Sequence, residues 1–321
     1  MSYTPDIDRP HMPVDDADWQ ESDCTWFYDA RAGLGGFYRL GYHARAGEAA
    51  ILLFVCGPDG TRFRHVERLA VDPDARKEDG QSAPGCFVRA LDPGEMAYGW
   101  DYADCHAALR FTDPFYEPRG WAKDEGDSAL NAKLNDAGHL ECSGRMKGEI
   151  TLGGTRFEID ALAHRDRSWG VRRTAMLVQH RMCTGSFGPE LSFATTIVQL
   201  PNGMAHKAGF VARNGETTDI ADVEIVTGLL YDGYSTASGR CVITLPDGEI
   251  LTIDTETLDG FVHLYGDDYV TGDHLSVARC GDLTGFADLE ASVNPARGSY
   301  VPSPADLVSA ALENGLSHKP G

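Results

Sequence analysis

Basic residues are scarce in this chain. Its 321 residues include 28 lysines and arginines against 49 aspartates and glutamates, a formal net charge of −21 at pH 7. A surface of that sign repels phosphate backbones and anionic head groups, so nucleic acid is not an expected partner. Long apolar runs are missing as well, and nothing reaches the roughly 18 consecutive apolar residues that a membrane span needs. The opening MSYTPDIDRPHMPVDDADWQ is polar and acidic. It lacks the apolar stretch that follows a basic start in a secretory signal, so the expected compartment is the cytoplasm.

The cysteines (Cys24, Cys56, Cys86, Cys105, Cys142, Cys183, Cys241 and Cys280) contain no CxxC pair, and several sit in apolar runs such as LLFVCG and GRCVITL. They read as buried thiols of a reducing compartment rather than as a zinc site or a disulfide framework. There is no Walker motif, no nucleophile elbow and no Ser-His-Asp ordering. GLGG at 33–36 has neither a following helix nor a distal acid, so it reads as a strand-to-strand turn. No cofactor is expected.

Turn chemistry is what the chain has in quantity. CGPDGTRF, QLPNGMAH, ARNGETTD and TLPDGEIL each set Asn-Gly or Asp-Gly between alternating runs. Those residues tolerate the positive φ of tight hairpin turns. Between them, EAAILLFV, ELSFATTIVQL, KAGFVARN, GRCVITL and EILTIDTETL carry the β-branched and aromatic content of antiparallel strands. The one clear helical signal is SPADLVSAALENGL, with Ser303 as cap, Pro304 in the first turn and Gly315 as terminator. DSALNAKLNDAG is either a helix or a loop. The chain is therefore expected to be all-β with a short C-terminal helix. Its sheets should be closed or strongly curled to hide their edges. The length suits two such barrels in tandem.

The segment ALAHRDRSWGVRR breaks the pattern by gathering a histidine, an aspartate, arginines and a tryptophan at the end of a strand. In a strand, Phe157, Ile159, Ala161 and Ala163 share one face, while Leu162, His164 and Asp166 share the other. His164 and Asp166 are then neighbours about 7 Å apart. The preceding strand, GHLECSGRMKGEI, joins through the Gly153-Gly154 turn, which sets Glu141 opposite Asp166 and His139 opposite Ser168, to within a residue or two. His139, Glu141, His164 and Asp166 then form one patch of two imidazoles and two carboxylates, equipment for moving protons.

HLECSGRMKGEITLGG followed by FEIDALAHRDRSWGVR resembles the carotenoid 1,2-hydratase (hydroxyneurosporene synthase) superfamily. It is most similar to relatives in which an HxE strand precedes an RDxSWG segment. Weaker echoes are DARAGLGGFYRLGY and FADLEASVNP. The resemblance implies two tandem lipocalin-like antiparallel β-barrels. We place their boundary after Ser168, so that residues 1–168 form a barrel carrying the site and 169–321 a second barrel. It also implies Asp166 as the pocket acid and His139 as the upstream histidine. His164 stands where the hydratases have an aromatic hydroxyl, and Glu141 about where they have a tryptophan.

An acid that protonates an alkene must hold its proton at working pH, and aspartate starts near pKa ~3.9, so burial would have to raise it. Glu141 would push the same way. An apolar wall could come from Trp169 and the stripe Tyr98, Trp100, Tyr102, and Arg172 could hold a substrate carboxylate. The expected function is a cofactor-independent hydratase, dehydratase or isomerase acting on a hydrophobic small molecule: a terpenoid, a steroid or an aromatic catabolite. Two alternatives stay open: a carrier that binds an apolar ligand unchanged, and a metal-dependent hydrolase using the same four residues. No metal is part of the favoured reading. A purely structural role would have Asp166 ion-paired to Arg165 or Arg167, and the arginines serving the chain's many carboxylates.

Overall fold

A computed structural model describes residues 3–72, 78–120, 138–172, 177–200, 202–265 and 269–294. The expected C-terminal helix and the DSALNAKLNDAG segment lie outside these residues. The chain divides into two compact units, the first built mainly from Met1–Arg173 and the second from the remainder. Among the described residues no helix is long and apolar enough to cross a membrane.

The first unit contains β1 (Trp19–Asp29), β2 (Leu34–His43), β3 (Glu48–Cys56), β4 (Arg62–Ala70), β5 (Gly80–Ala83), β6 (Cys86–Ala90), β7 (Met96–Tyr102), β8 (Cys105–Thr112), β9 (Gly138–Leu152) and β10 (Thr155–Val171). They form one curled antiparallel sheet, a half-barrel, in the order β4-β3-β2-β1-β10-β9-β8-β7-β6-β5. The first strand therefore pairs with the last, and β10 runs through Trp169 and Gly170 to Val171. The second unit has β11 (Gln179–Ser186), β12 (Ser192–Gln199), β13 (Ala205–Arg213), β14 (Glu216–Asp219), β15 (Asp222–Leu229), β16 (Thr236–Thr244), β17 (Ile250–Tyr265), β18 (Tyr269–Cys280) and β19 (Leu283–Val293). Its order, β14-β13-β12-β11-β19-β18-β17-β16-β15, again sets first strand beside last. The turn signals are met: Asp59-Gly60 and Asn214-Gly215 take positive φ between consecutive strands, a conformation Asn, Asp and Gly reach at least cost. All eight cysteines are free thiols, seven of them buried.

Period-two alternation decides what each face of the first sheet holds. One face packs the apolar core: Phe27, Tyr38, Ile51, Leu53, Tyr98, Trp100, Leu109, Met146, Ile150, Ala163 and Trp169 among others. Arg165 and Arg167 alternate in step with Ala163 and Trp169, so they enter this same interior. Their charges are matched there. Arg165 donates to both carboxylate oxygens of Asp8, at 2.7 and 3.1 Å. Arg167 pairs with Glu21 and Asp23, and donates to the Ile7 and Arg9 carbonyls. The N-terminal segment is thereby fastened to the half-barrel, with His11 stacked on Trp169 at 4.0 Å. Burial pushes the Asp8 carboxyl up, but Arg165 outweighs it and holds it below its usual value.

Candidate functional site

The other face of the sheet carries His139, Glu141 and Ser143 from β9 and His164, Asp166 and Ser168 from β10. The hairpin takes the register its glycine turn implies: Asp166 opposite Glu141, Ser168 opposite His139, and His164 opposite Ser143. Because opposed residues share a face, all six side chains project together. Two more strands continue the rows. Trp26 and Phe37 line up with His164, and Cys24 and Arg39 with Asp166. Gly41 leaves room for the Arg39 guanidinium, which a Cβ there would meet at 2.7 Å.

The cluster is closely bonded. His139 Nε2 lies 3.0 Å from Asp166 Oδ2 and 3.1 Å from Glu141 Oε1. His164 Nε2 bonds the second Glu141 oxygen, and His164 Nδ1 lies 2.8 Å from Ser143 Oγ. Glu141 thus bridges two imidazoles. The side chains of His139, Glu141 and His164 are 2%, 0% and 0% exposed, whereas that of Asp166 is 13% exposed. Asp166 is the member of the four that solvent reaches.

Burial penalises charge, but charges buried together rescue one another. Desolvation alone would lower the His139 pKa; Asp166, and then Glu141, outweigh it and raise it to about 9. Desolvation likewise pushes Glu141 up, yet His164 and His139 hold it well below the usual carboxylate range. That shift favours the protonated imidazole of His139 at neutral pH, and the ring lies between the Glu141 and Asp166 side chains. One ring nitrogen of His139 and one carboxyl oxygen each of Glu141 and Asp166 lie within 4.8 Å of one another, a spacing that suits a shared proton and would also suit a metal ion.

The arginines flanking Asp166 do not pair with it, since they point into the opposite face. The candidate wall divides in the same way. Tyr98, Trp100 and Trp169 belong to the apolar core on the face away from Asp166, and Tyr102 packs against that core. Arg172 lies on the cluster's side, where its Nη2 donates to Ser168 Oγ at 2.6 Å. The structure thus brings His139, Glu141, His164 and Asp166 together, sets Arg172 beside Ser168, and leaves the four aromatics on the other face.

Sequence reasoning missed the aromatic row on the cluster's own face. Trp26, Phe37 and Phe54 pack in a row with tilted rings, centroids 5.1 and 5.9 Å apart, and the Trp26 ring lies 6.2 Å from His164. It missed Ser143 and Tyr116 too. After β8, Asp113 turns the chain at φ 50°, and Pro114 and Pro118 prevent a regular continuation. The segment still bonds along β9, Phe115 N–H to the Ser143 carbonyl and Arg119 to Glu141 in both directions. That brings Tyr116 Oη to 3.3 Å from Ser143 Oγ.

Two antiparallel half-barrels, each closing its first strand on its last, define a tandem lipocalin-like fold, and solved structures share it. A protein of Nitrosomonas europaea assigned as an AttH matches with TM-score 0.62 at 12% identity, covering 85% of this chain and 91% of its own. CghA, in a crystal with Sch210972, matches with TM-score 0.60 at 10% identity over 88% and 90%. Kievitone hydratase from Nectria haematococca matches with TM-score 0.60 at 11% identity over 87% and 89%. No curated protein sequence matches significantly. The chain belongs to the family described as "Domain of unknown function (DUF7064)", whose model matches residues 4–295.

Proposed function

We propose that this protein is a hydro-lyase or isomerase that works by acid–base catalysis, without a cofactor, on a hydrophobic small molecule of terpenoid, steroid or aromatic type. The observation that carries this reading is the position of Asp166. It is the one partly exposed member of an otherwise buried set of proton-exchanging groups, with the His139 imidazole 3.0 Å behind it. Asp166 exchanges a proton with the substrate and His139 replenishes or removes it. Glu141 keeps His139 charged. The aromatic row of Trp26, Phe37 and Phe54 on the same face suits an apolar substrate and a developing positive charge. The kinship in fold with a hydratase, and the HxE and RDxSWG segments, support addition or removal of water.

A carrier would gain nothing from three buried ionisable groups beside a partly exposed fourth, whose desolvation is costly unless they are used or fully paired. The spacing of His139, Glu141 and Asp166 favours a second reading, a metal-assisted hydrolase. Incubation with candidate alkenes and tertiary alcohols, followed by mass spectrometry, tests the proposal. Gain or loss of one water, or an isomer of unchanged mass, is expected from the wild type and not from Asp166→Asn. A ligand bound but returned unchanged by both proteins would favour the carrier. Product formed at wild-type rate by Asp166→Asn would remove the assignment.

A further inference from the structure

The bonding does not end at the four residues of the proposed site. From Tyr116 Oη it runs to Ser143 Oγ at 3.3 Å, and from there to His164 Nδ1 at 2.8 Å. It continues through His164 Nε2 to Glu141, from Glu141 Oε1 to His139 Nε2 at 3.1 Å, and from His139 Nε2 to Asp166 Oδ2 at 3.0 Å. Ser143, Glu141 and His139 are alternate residues of one strand, and His164 and Asp166 alternate on its partner. A regular hairpin therefore lays this line out without any bend in the backbone.

Hydrogen-bond chemistry assigns each hydrogen along it. An ionised carboxylate only accepts, so both nitrogens facing Glu141 must carry hydrogen: Nε2 of His139 and Nε2 of His164. With Nε2 protonated, His164 Nδ1 accepts from the Ser143 hydroxyl. Ser143 has then used its one hydrogen, and its oxygen accepts from the Tyr116 hydroxyl. Should His164 take a second proton, Nδ1 donates and the Ser143 hydroxyl swings round to Tyr116. Either way a donor always meets an acceptor. Burial holds the Tyr116 phenol well above its usual pKa, so that group keeps its proton.

We infer that Ser143 and Tyr116 are positioning residues: Glu141 fixes the tautomer of His164, and the Ser143–Tyr116 pair holds the ring on its Nδ1 side, so that Nε2–H stays aimed at Glu141 and the proton shared by His139 and Asp166 stays in register. The inference rests on the acid–base reading of the site, but its structural content can be measured without a substrate. Without the Ser143 hydroxyl, His164 Nδ1 loses the hydrogen bond that seats the ring, while Glu141 still requires hydrogen on Nε2.

The test is nitrogen-15 NMR of the full-length protein labelled at histidine, for the wild type, Ser143→Ala, Ser143→Thr and Tyr116→Phe. The wild type should show hydrogen on His164 Nε2. Ser143→Ala should keep hydrogen on His164 Nε2 but shift the Nδ1 resonance toward that of an imidazole nitrogen that accepts no hydrogen bond, and Ser143→Thr, which keeps a hydroxyl, should restore the wild-type pattern. Tyr116→Phe should cause a smaller shift in the same direction. Circular dichroism and thermal melting identify any variant that fails to fold, and the wild-type spectrum alone remains decisive. A wild-type His164 with a bare Nε2, or an unchanged spectrum in folded Ser143→Ala, would overturn the inference. A fixed His164 in a protein inactive on every substrate would sustain this inference while removing the enzymatic one. An active enzyme with an indifferent His164 would do the reverse.

Discussion

His139 and Asp166 stand on adjacent strands of one hairpin, with Nε2 and Oδ2 3.0 Å apart, and one residue is almost wholly buried while the other touches solvent. In the proposed function that difference separates storage from exchange: the shielded imidazole keeps the proton, and the carboxyl group at the edge meets the substrate.

Replacing Asp166 with Asn preserves shape and leaves a group that cannot exchange protons. General acid–base catalysis contributes about 10²–10⁴-fold, and a loss of that size in turnover is expected. Comparing initial rates of the two proteins at equal folded concentration checks it.

The pKa of His139 also makes stability depend on pH. A histidine raised from 6.5 to about 9 contributes stability that is fully present below its unfolded value and lost as pH rises through the folded value. The contribution is on the order of 3 kcal/mol. Urea midpoints should therefore fall between about pH 6.5 and 9. His139→Gln should flatten that part of the profile.

The pair inside the half-barrel makes a separate prediction. Asp8→Ala leaves Arg165 buried without its counter-charge, which costs about 3–5 kcal/mol. Replacing both residues with apolar ones of similar volume should recover most of the loss. Denaturation of the single and double variants measures the difference. The wild-type pair should weaken in acid. With Asp8 held below its usual value, its contribution is present above about pH 4 and is lost as pH falls through the folded value.

Chelation separates proton chemistry from metal chemistry at the same residues. Turnover should survive prolonged treatment with EDTA, and elemental analysis should find far less than one metal per chain. Loss of activity that is restored by one divalent ion per chain would favour the metal-assisted reading.

Much of this was legible in the sequence because it is local. Gly153-Gly154 marks a two-residue turn and the strands alternate regularly, so the register that opposes Asp166 to Glu141 follows from counting. Asn214-Gly215 and its counterparts marked hairpins for the same reason. The faces of the sheet were harder. Tyr98, Trp100 and Tyr102 advertise a shared side, but which side depends on register carried from β7 through β8 and β9 to β10. One added residue anywhere along that path reverses the answer. Trp26, Phe37 and Phe54 come from three separate strands, so no local pattern linked them to His164. Tyr116 reaches Ser143 only because a proline-flanked segment bonds along β9 beyond the end of β8, an irregular pairing that periodicity does not reveal.

The central claim is that His139 carries a proton held by Asp166 and Glu141, and the most direct measurement is the titration of His139 by nitrogen-15 NMR in the wild type and in Asp166→Asn. The account predicts a midpoint of about 9 in the wild type and a clearly lower one in the variant. A wild-type midpoint at the ordinary histidine value near ~6.5, unmoved by the substitution, would contradict it.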